Sequence, residues 1–295
     1  MMPIAPLAGF DAEAFAAATL AEDLGGWSGG PADTARDITA TACLPADAQL
    51  TATLATREPV TVAGLFLAET IFRTLDPACI CIAHVADGQS VPAGTRLLDV
   101  SGNARALLAA ERSALNTLQH LTGIATLTRR YVDAIKGTGA TLLDTRKTIP
   151  GLRRLEKYAV RCGGGTNHRM GLHDAPMVKD NHIAAAGGVP QAVSACKSAG
   201  LRNITVEVDT LDQIEPAIAA GADRLLLDNM NPETLRNAVA LVAGRLPTEA
   251  SGGVNLDTIR PIAETGVTYI SVGRITQSAP AADIGMDYGV HTPAT

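Results

Sequence analysis

Residues 204–229 read ITVEVDTLDQIEPAIAAGADRLLLDN. A β-branched, apolar run (Ile204 to Asp209) ends on acidic residues, a helical stretch follows, and a second apolar run (Arg224 to Asp228) again ends on a carboxylate. This is a βα unit with polar groups at the C-terminal ends of its strands. The unit recurs along the second half of the chain, with strands expected at Thr141–Thr145, Pro176–Lys179, Ile204–Asp209, Arg224–Asp228, Thr248–Ser251 and Tyr269–Val272. Their starts are 35, 28, 20, 24 and 21 residues apart, the cadence of a parallel sheet or barrel. The unusual residues gather at the strand ends: Thr145-Arg146-Lys147, Lys179-Asp180-Asn181-His182, Glu207 with Asp209, Asp228-Asn229, Ser251-Gly252-Gly253 and Gly273-Arg274. In an α/β barrel those ends converge on one rim, where active sites are built, so a barrel enzyme is the leading reading. A doubly wound open sheet would also gather strand ends at one edge and is the runner-up.

Upstream the pattern differs. Asp11 is a candidate N-cap for a helix through Phe15, Leu20 and Leu24, stopped by Gly25 and Gly26. Strand-like runs at Leu50–Thr56, Val60–Val62, Cys79–Val85 and Arg96–Val100 accompany a helix over Gly64–Leu75, which predicts a small sheet with helices against it. From Ser101 to about Lys136, Leu107, Leu108, Leu115, Leu118 and Leu121 keep a helical period, with Arg105, Arg112, Asn116 and His120 on another face. By pattern alone that polar stripe reads as a solvated face.

Composition sets the limits. With 295 residues, 46% hydrophobic and 18% charged, the chain can bury one or two full cores without disulfides or metals, and disorder is excluded as its main state. Its five cysteines (Cys43, Cys79, Cys81, Cys162, Cys196) form no CxxC pair, so neither a disulfide framework nor a zinc ribbon is expected. Cys79 and Cys81 are expected on one face of a strand, and Cys162 reads as a packed residue rather than a nucleophile. Residues 1–24 lack a basic n-region and are interrupted by Asp11, Glu13, Glu22 and Asp23, and the longest apolar stretch, near residues 59–68, is far too short to span a bilayer. A cytoplasmic protein with no membrane partner is expected. The net charge of −6 argues against a surface that binds nucleic acid.

That average hides a contrast. Residues 146–182 hold eight Lys and Arg against three acids, a window of +5 that leaves −11 on the rest of the chain. One basic site in an acidic molecule suits a small anionic ligand better than a long polyanion. Arg153, Arg154, Lys157 and Arg161 lie at helical spacing over residues 152–161, and one or two of them are expected to face only water. Arg146, Lys147, Arg169 and Lys179, at strand ends or in a glycine loop, are the better ligand-binding candidates. Ser251-Gly252-Gly253 and Ser271-Val272-Gly273 follow the last two strands, where barrels hold phosphate on backbone N–H groups, and Gly163-Gly164-Gly165 is a further possible cradle. Glu207, Asp209 and Asp228 stand opposite the cations. Adjacent acids repel unless a cation sits between them, which favours Mg²⁺ or sugar hydroxyls at Glu207 and Asp228 over a simple ion pair. The residue chemistry therefore points to a substrate with several negative charges, phosphate among them, accompanied by Mg²⁺.

The run Leu143-Asp144-Thr145-Arg146-Lys147-Thr148-Ile149-Pro150-Gly151-Leu152-Arg153, then Glu156-Lys157-Tyr158-Ala159-Val160, Gly163-Gly164-Gly165-Thr166-Asn167-His168-Arg169-Met170-Gly171-Leu172 and Lys179-Asp180-Asn181-His182, resembles the quinolinate phosphoribosyltransferase family. The likeness extends over nearly the whole chain, through Glu22-Asp23-Leu24-Gly25, Asp37-Ile38-Thr39, Glu111-Arg112-Ser113-Ala114-Leu115-Asn116, Val206-Glu207-Val208-Asp209, Leu227-Asp228-Asn229, Ala250-Ser251-Gly252-Gly253 and Ser271-Val272-Gly273. Two departures stand out: Gly26 to Arg36 reads as an insertion, and Gln277 stands where many members have His or Lys.

The resemblance implies an incomplete α/β (TIM-like) barrel, residues 116–275, and an N-terminal α/β sandwich domain, residues 1–115, completed by 276–295. It implies a homodimer in which Arg112 is donated across the interface. It also implies transfer of phosphoribosyl from phosphoribosyl pyrophosphate to quinolinate with decarboxylation, giving nicotinate mononucleotide, pyrophosphate and CO₂ in NAD biosynthesis. Quinolinate would then meet Arg112, Thr145, Arg146, His168, Arg169 and Lys179. The phosphates and ribose would meet Lys147, Glu207, Asp228, Ser251, Gly252, Gly253, Ser271, Val272 and Gly273, with Mg²⁺ at Glu207 and Asp228 directly or through water. Lys147, Glu207 and Asp228 carry the chemistry by electrostatics, with no covalent intermediate. Competing readings are a paralogue with another base acceptor, an aldolase with Lys147 or Lys179 as a Schiff base, and a non-catalytic anion-binding module.

Overall fold

The computed structural model describes residues 9–26 and 33–288. The first part contains α1 (Ala12–Asp23), α2 (Ile38–Cys43), β1 (Gln49–Thr56), β2 (Val60–Thr61), α3 (Leu65–Leu75), β3 (Ile80–Ala83), β4 (Ser90–Val91), β5 (Arg96–Asn103) and the long α4 (Ala104–Ala134). The middle contains β6 (Thr141–Leu143), α5 (Arg153–Cys162), β7 (Met177–Val178), α6 (Asp180–Ala186), α7 (Val189–Ser198), β8 (Thr205–Val208), α8 (Ile214–Ala220) and β9 (Arg224–Asp228). The last part contains α9 (Pro232–Val242), β10 (Thr248–Ser251), α10 (Ile259–Ala263), β11 (Tyr269–Ser271), α11 (Arg274–Gln277) and β12 (Ile284–Tyr288). These strands match the expected positions to within a few residues, and β4 and β12 are additional. No helix of the described residues is long and apolar enough to cross a membrane.

The described chain divides into two compact units, one of residues 9–26, 33–127, 154–163 and 279–288, the other of 128–153 and 164–278. The division falls at 127/128 within α4, whereas the sequence suggested 115/116: a helix that continues unbroken offers no loop at which to read a boundary. The first unit also takes most of α5.

In the first unit an antiparallel sheet of order β12-β1-β5-β3 buries one face against a core that includes Leu54, Ile71, Phe72, Leu98, Leu107 and Leu118. As expected, Asp11 caps α1, its carboxylate accepting from Ala14 N at 2.9 Å. Helix α4 begins three residues later than the leucine period suggested. Ser101 to Asn103 stay paired with β1, and Asn103 Oδ1 then accepts from Ala106 N at 3.2 Å, an N-cap where the strand ends. Residues 279–288 complete the sheet. They cross α4 at Gly123, where a Cβ would lie 2.0 Å from Pro280 O, so only glycine lets the chain pass. Gln119 Nε2 then donates to Ile284 O (2.6 Å), and β12 pairs with β1. Of the expected insertion, residues 27–32 lie outside the described residues, as do 1–8 and 289–295. Its end forms a single turn, Thr34–Arg36, from which Arg36 donates to Leu24 O and Gly25 O.

The second unit is a six-stranded, all-parallel sheet of order β6-β11-β10-β9-β8-β7. β6 and β7 form its two edges and do not pair, so the barrel is open, as an incomplete α/β barrel requires. Its strands are apolar on both faces, as in Leu225, Leu226 and Leu227, which is the signature of a sheet covered on each side.

Candidate active site

Successive strand side chains point to opposite faces, so residues two apart share a face. Four strand ends of the second unit follow that rule into one cavity of about 690 Å³: Met177 with Lys179, Leu226 with Asp228, Glu249 with Ser251, and Ser271 with Gly273. Glu207 from β8 joins them, as do Thr145, Arg146 and Lys147 from the end of β6 and His168 and Arg169 from the loop after α5. Asn229, Gly252, Gly253, Val254, Val272, Arg274 and Gln277 complete the wall. The lining carries five Arg or Lys against three carboxylates, so the cavity is cationic in a chain of net charge −6.

The two cationic loops are pinned from behind. Asp144 is wholly buried and accepts from His168 N (2.8 Å) and Asn167 Nδ2 (2.6 Å), which joins the β6 end to the glycine loop. Thr145 Oγ1 accepts from Lys147 N (3.0 Å), and Thr276 Oγ1 donates to Lys147 O (2.7 Å). Arg153 does not reach for a ligand. It donates to Thr148 Oγ1, Met170 O and Arg146 O, clamping the two loops to each other. Arg169 Nη1 donates to Ala175 O (2.8 Å). Burial first, and then the neighbouring Arg146 charge, lower the Arg169 pKa from its ordinary value, against the opposing pull of the Asp174 carboxylate. Asp174 accepts from Met170 N (2.5 Å) and Gly171 N (3.1 Å) and so closes the segment that follows Arg169. Burial works against the Asp174 carboxylate, but these N–H groups and His173 hold its pKa below the ordinary value.

The acidic side differs from the sequence expectation in one respect. A positive charge does stand at Glu207, but it belongs to the protein: Lys179 forms an ion pair with it. Asp228 takes Asn229 Nδ2 on one oxygen at 2.5 Å. Asp209 is exposed beyond β8 and does not line the cavity. The glycine loops are tightly fitted. Gly252 has φ +93°, and a Cβ on it would lie 2.1 Å from Asn229 Oδ1, so the backbone approaches closely there only because the residue is glycine. Gly163-Gly164-Gly165 is not part of the wall. Its central residue is covered by the Arg129 guanidinium, 3.0 Å from where a Cβ would be.

Arg112 is exposed on α4, 3.7 Å from Glu111, and is not among the residues lining the cavity. Of the rest of its stripe, Asn116 is exposed as well, but Arg105 and His120 are not simply solvated. Arg105 donates to the Leu44 and Thr41 carbonyls at the end of α2, and His120 Nε2 lies 3.0 Å from the fully buried Glu156. Of the α5 cations, Arg154 is exposed but donates to Gly9 O rather than facing only water, and Lys157 is fully buried. Cys162 is buried and its thiol is pushed up to about 12, mainly by burial, which suits a packing role. Cys79 and Cys81 share a face, their sulfurs 3.6 Å apart.

Sequence reasoning missed Glu249, Met177, Leu226 and Val254, and placed Asn229 and Arg274 at strand ends without giving them a ligand role. The available signal was the period of two: once Ser251 is placed on the rim, Glu249 on the same strand must face the same way.

Comparison with known proteins agrees over both units. The quinolinate phosphoribosyl transferase C-terminal domain matches residues 124–287, and the N-terminal domain of the same family matches 37–122. A probable nicotinate-nucleotide pyrophosphorylase (carboxylating) of Bacillus subtilis (strain 168) is 45% identical over 227 residues, 76% of this chain and 78% of the relative. A nicotinate-nucleotide pyrophosphorylase (carboxylating) of Mycobacterium leprae (strain TN) is 43% identical over 259 residues, 85% and 90% of the two chains. The solved structure of the nicotinate-nucleotide pyrophosphorylase from Francisella tularensis superposes with a TM-score of 0.86 at 40% identity, covering 94% of this chain and 97% of that one.

Proposed function

The chain belongs to the quinolinate phosphoribosyltransferase family, and from that premise we propose that it transfers phosphoribosyl from phosphoribosyl pyrophosphate to quinolinate, releasing pyrophosphate and CO₂ and forming nicotinate mononucleotide for NAD biosynthesis. The observation that carries the reading is one cationic cavity lined by both the Arg146 and Arg169 guanidiniums and two glycine loops. Quinolinate has two adjacent carboxylates, and guanidiniums grip carboxylates through paired charge-assisted hydrogen bonds. Arg146 and Arg169 hold it, with Thr145 and Lys179 beside them and His168 in the same wall. Arg112, exposed and not among the lining residues, serves the cavity of a second copy in a homodimer.

The Ser251-Gly252-Gly253 and Ser271-Val272-Gly273 loops offer backbone N–H groups to phosphate oxygens. Lys147 balances the negative charge that builds as pyrophosphate leaves. The ribose carbon becomes oxocarbenium-like, and the Glu207 and Asp228 carboxylates steady it through their field and the ribose hydroxyls. The pyridine nitrogen forms the new bond to that carbon as the carbon–oxygen bond to pyrophosphate breaks. With the nitrogen now positive, the bond from the ring to the neighbouring carboxylate breaks as CO₂ departs, the electron pair stays on the ring carbon, and that carbon takes a proton from solvent. No protein nucleophile is needed.

The donor set suits Mg²⁺ brought in on the pyrophosphate rather than a resident metal. Among the described residues no group of three or more His, Cys, Asp or Glu could hold a metal by itself, and Glu207 already has Lys179. Mg²⁺ commonly binds through one or two carboxylates, substrate phosphates and water, and Asp228 with Glu207 would hold it so, supplying Lewis-acid assistance to the leaving pyrophosphate.

One assay tests the reading: pyrophosphate and CO₂ release dependent on quinolinate and phosphoribosyl pyrophosphate. An intact protein that binds both substrates yet releases neither product overturns it. Heterodimers of inactive Arg112→Ala and inactive Lys147→Ala subunits are expected to regain activity, and verified heterodimers without recovery overturn site sharing.

A further inference from the structure

We propose that Glu249 is a positioning residue for Arg169, acting through the His168 ring. Glu249 on β10 is fully buried in the cavity wall. Its Oε2 lies 3.3 Å from His168 Nε2 and 3.2 Å from Arg224 Nη1, and the Arg224 guanidinium is itself pinned over the Tyr269 ring, 4.3 Å from the centroid. The carboxylate therefore has a fixed place. At the other edge of the imidazole, Nδ1 accepts the Arg169 backbone N–H at 2.7 Å. A neutral imidazole whose Nδ1 is an acceptor carries its one proton on Nε2, the atom that faces Glu249.

Nδ1 is thus committed to the Arg169 N–H, and Nε2 lies against the Glu249 carboxylate, so the ring transmits the position of a buried anion to Arg169. The main chain at this point is held from two sides by buried carboxylates, since His168 N donates to Asp144 at 2.8 Å. Arg169 is next along the chain, with its guanidinium in the cavity and one arm on Ala175 O. Locking the backbone of a short loop removes its freedom before the ligand arrives, so less order is lost on binding. Loss of Glu249 frees the ring, and the ring then releases the Arg169 N–H.

Only the kinetic arm of the test rests on the quinolinate reading. In the unaltered protein with ¹⁵N-labelled histidine, the His168 resonances, identified by their loss in His168→Asn, are expected to show a protonated Nε2 and a bare Nδ1; a proton on Nδ1 overturns the proposal whatever the enzyme's activity. Kinetically, Glu249→Gln is expected to raise KM for quinolinate about tenfold while kcat and KM for phosphoribosyl pyrophosphate change less than about threefold. In a His168→Asn background, where the Asn oxygen can still accept from Arg169 N–H but has no tie to residue 249, most of that effect should vanish. Equal losses in both backgrounds, or matching losses in both KM values, overturn the proposal in favour of a purely structural Glu249. If Glu249→Gln fails to fold, the tautomer of the unaltered protein decides. If the unaltered protein turns over no quinolinate, the functional reading falls and the tautomer still decides this inference.

Discussion

Arg146 and Lys147 stand at the end of β6 and line a cavity; Arg154 and Lys157, on α5 shortly after, serve structure instead. Arg154 donates to Gly9 O, and Lys157 is fully buried in a helix whose Tyr158 hydroxyl donates to Asp87 Oδ2 at 2.5 Å. Asp87 in turn accepts from Gly64 N and Leu65 N, capping α3 where Gly64 has no side chain to do so. The same residue types, a few positions apart in one basic window, thus have opposite uses. At a strand end the chain turns away and leaves a long cationic side chain facing open space. On a helix packed on most of its circumference, the same side chain has to find a partner or pay the full cost of burial. Charge density marks the region; the element decides the use.

The largest effect should separate the two uses most cleanly. Lys147 is exposed in the cavity, so Lys147→Ala is expected to lower kcat/KM by about 10²–10³-fold with the urea midpoint unchanged. A fall in stability of the same variant would break the comparison. The converse change is Lys157→Met. Removing a buried charge from its surroundings is expected to cost about 3 kcal/mol of unfolding free energy, with KM for quinolinate nearly unaltered in the folded fraction. Undiminished stability would show that the two regions do not differ in this way.

A smaller effect sharpens the comparison on the cavity side. Asp174 closes the segment after Arg169, and Asp174→Asn is expected to raise KM for quinolinate about fivefold, matching the ~1 kcal/mol worth of a capping side chain. The sign with pH follows from the depressed pKa. The folded value lies below the ordinary 3.8, so the stabilisation is complete above 3.8 and is lost as pH falls through the lower folded value. An acid titration of stability should therefore show a loss in that range that is reduced in Asp174→Asn. An identical acid limb in both proteins would remove Asp174 from the account.

Most of the rim was legible because a parallel strand is a short apolar run, and a charged or glycine-rich tripeptide at its end contrasts with it. Thr145-Arg146-Lys147, Glu207, Asp228 and Ser251-Gly252-Gly253 were found in this way. Glu249 escaped because Thr248-Glu249-Ala250-Ser251 has no apolar contrast to betray a buried charge. The glycine run at 163–165 was legible as flexible backbone, but the cover of its central Gly164 by Arg129 was not, since that neighbour lies far off in sequence. For the same reason the pairing of Lys179 with Glu207, 28 residues apart, could not be read from the sequence.

The sequence by itself determined the elements, the order of the βα units and the family, because local periodicity and strand-end chemistry are written in neighbouring residues. Only the tertiary structure decided which charges are spent on each other: that Lys179 neutralises Glu207, that Arg153 clamps two loops, that Lys157 is buried, and that His168 faces Glu249 and Arg169 with its two nitrogens. Electrostatic and hydrogen-bond partners are fixed by distance in space, and in a sheet of order β6-β11-β10-β9-β8-β7 neighbours in space are far apart along the chain.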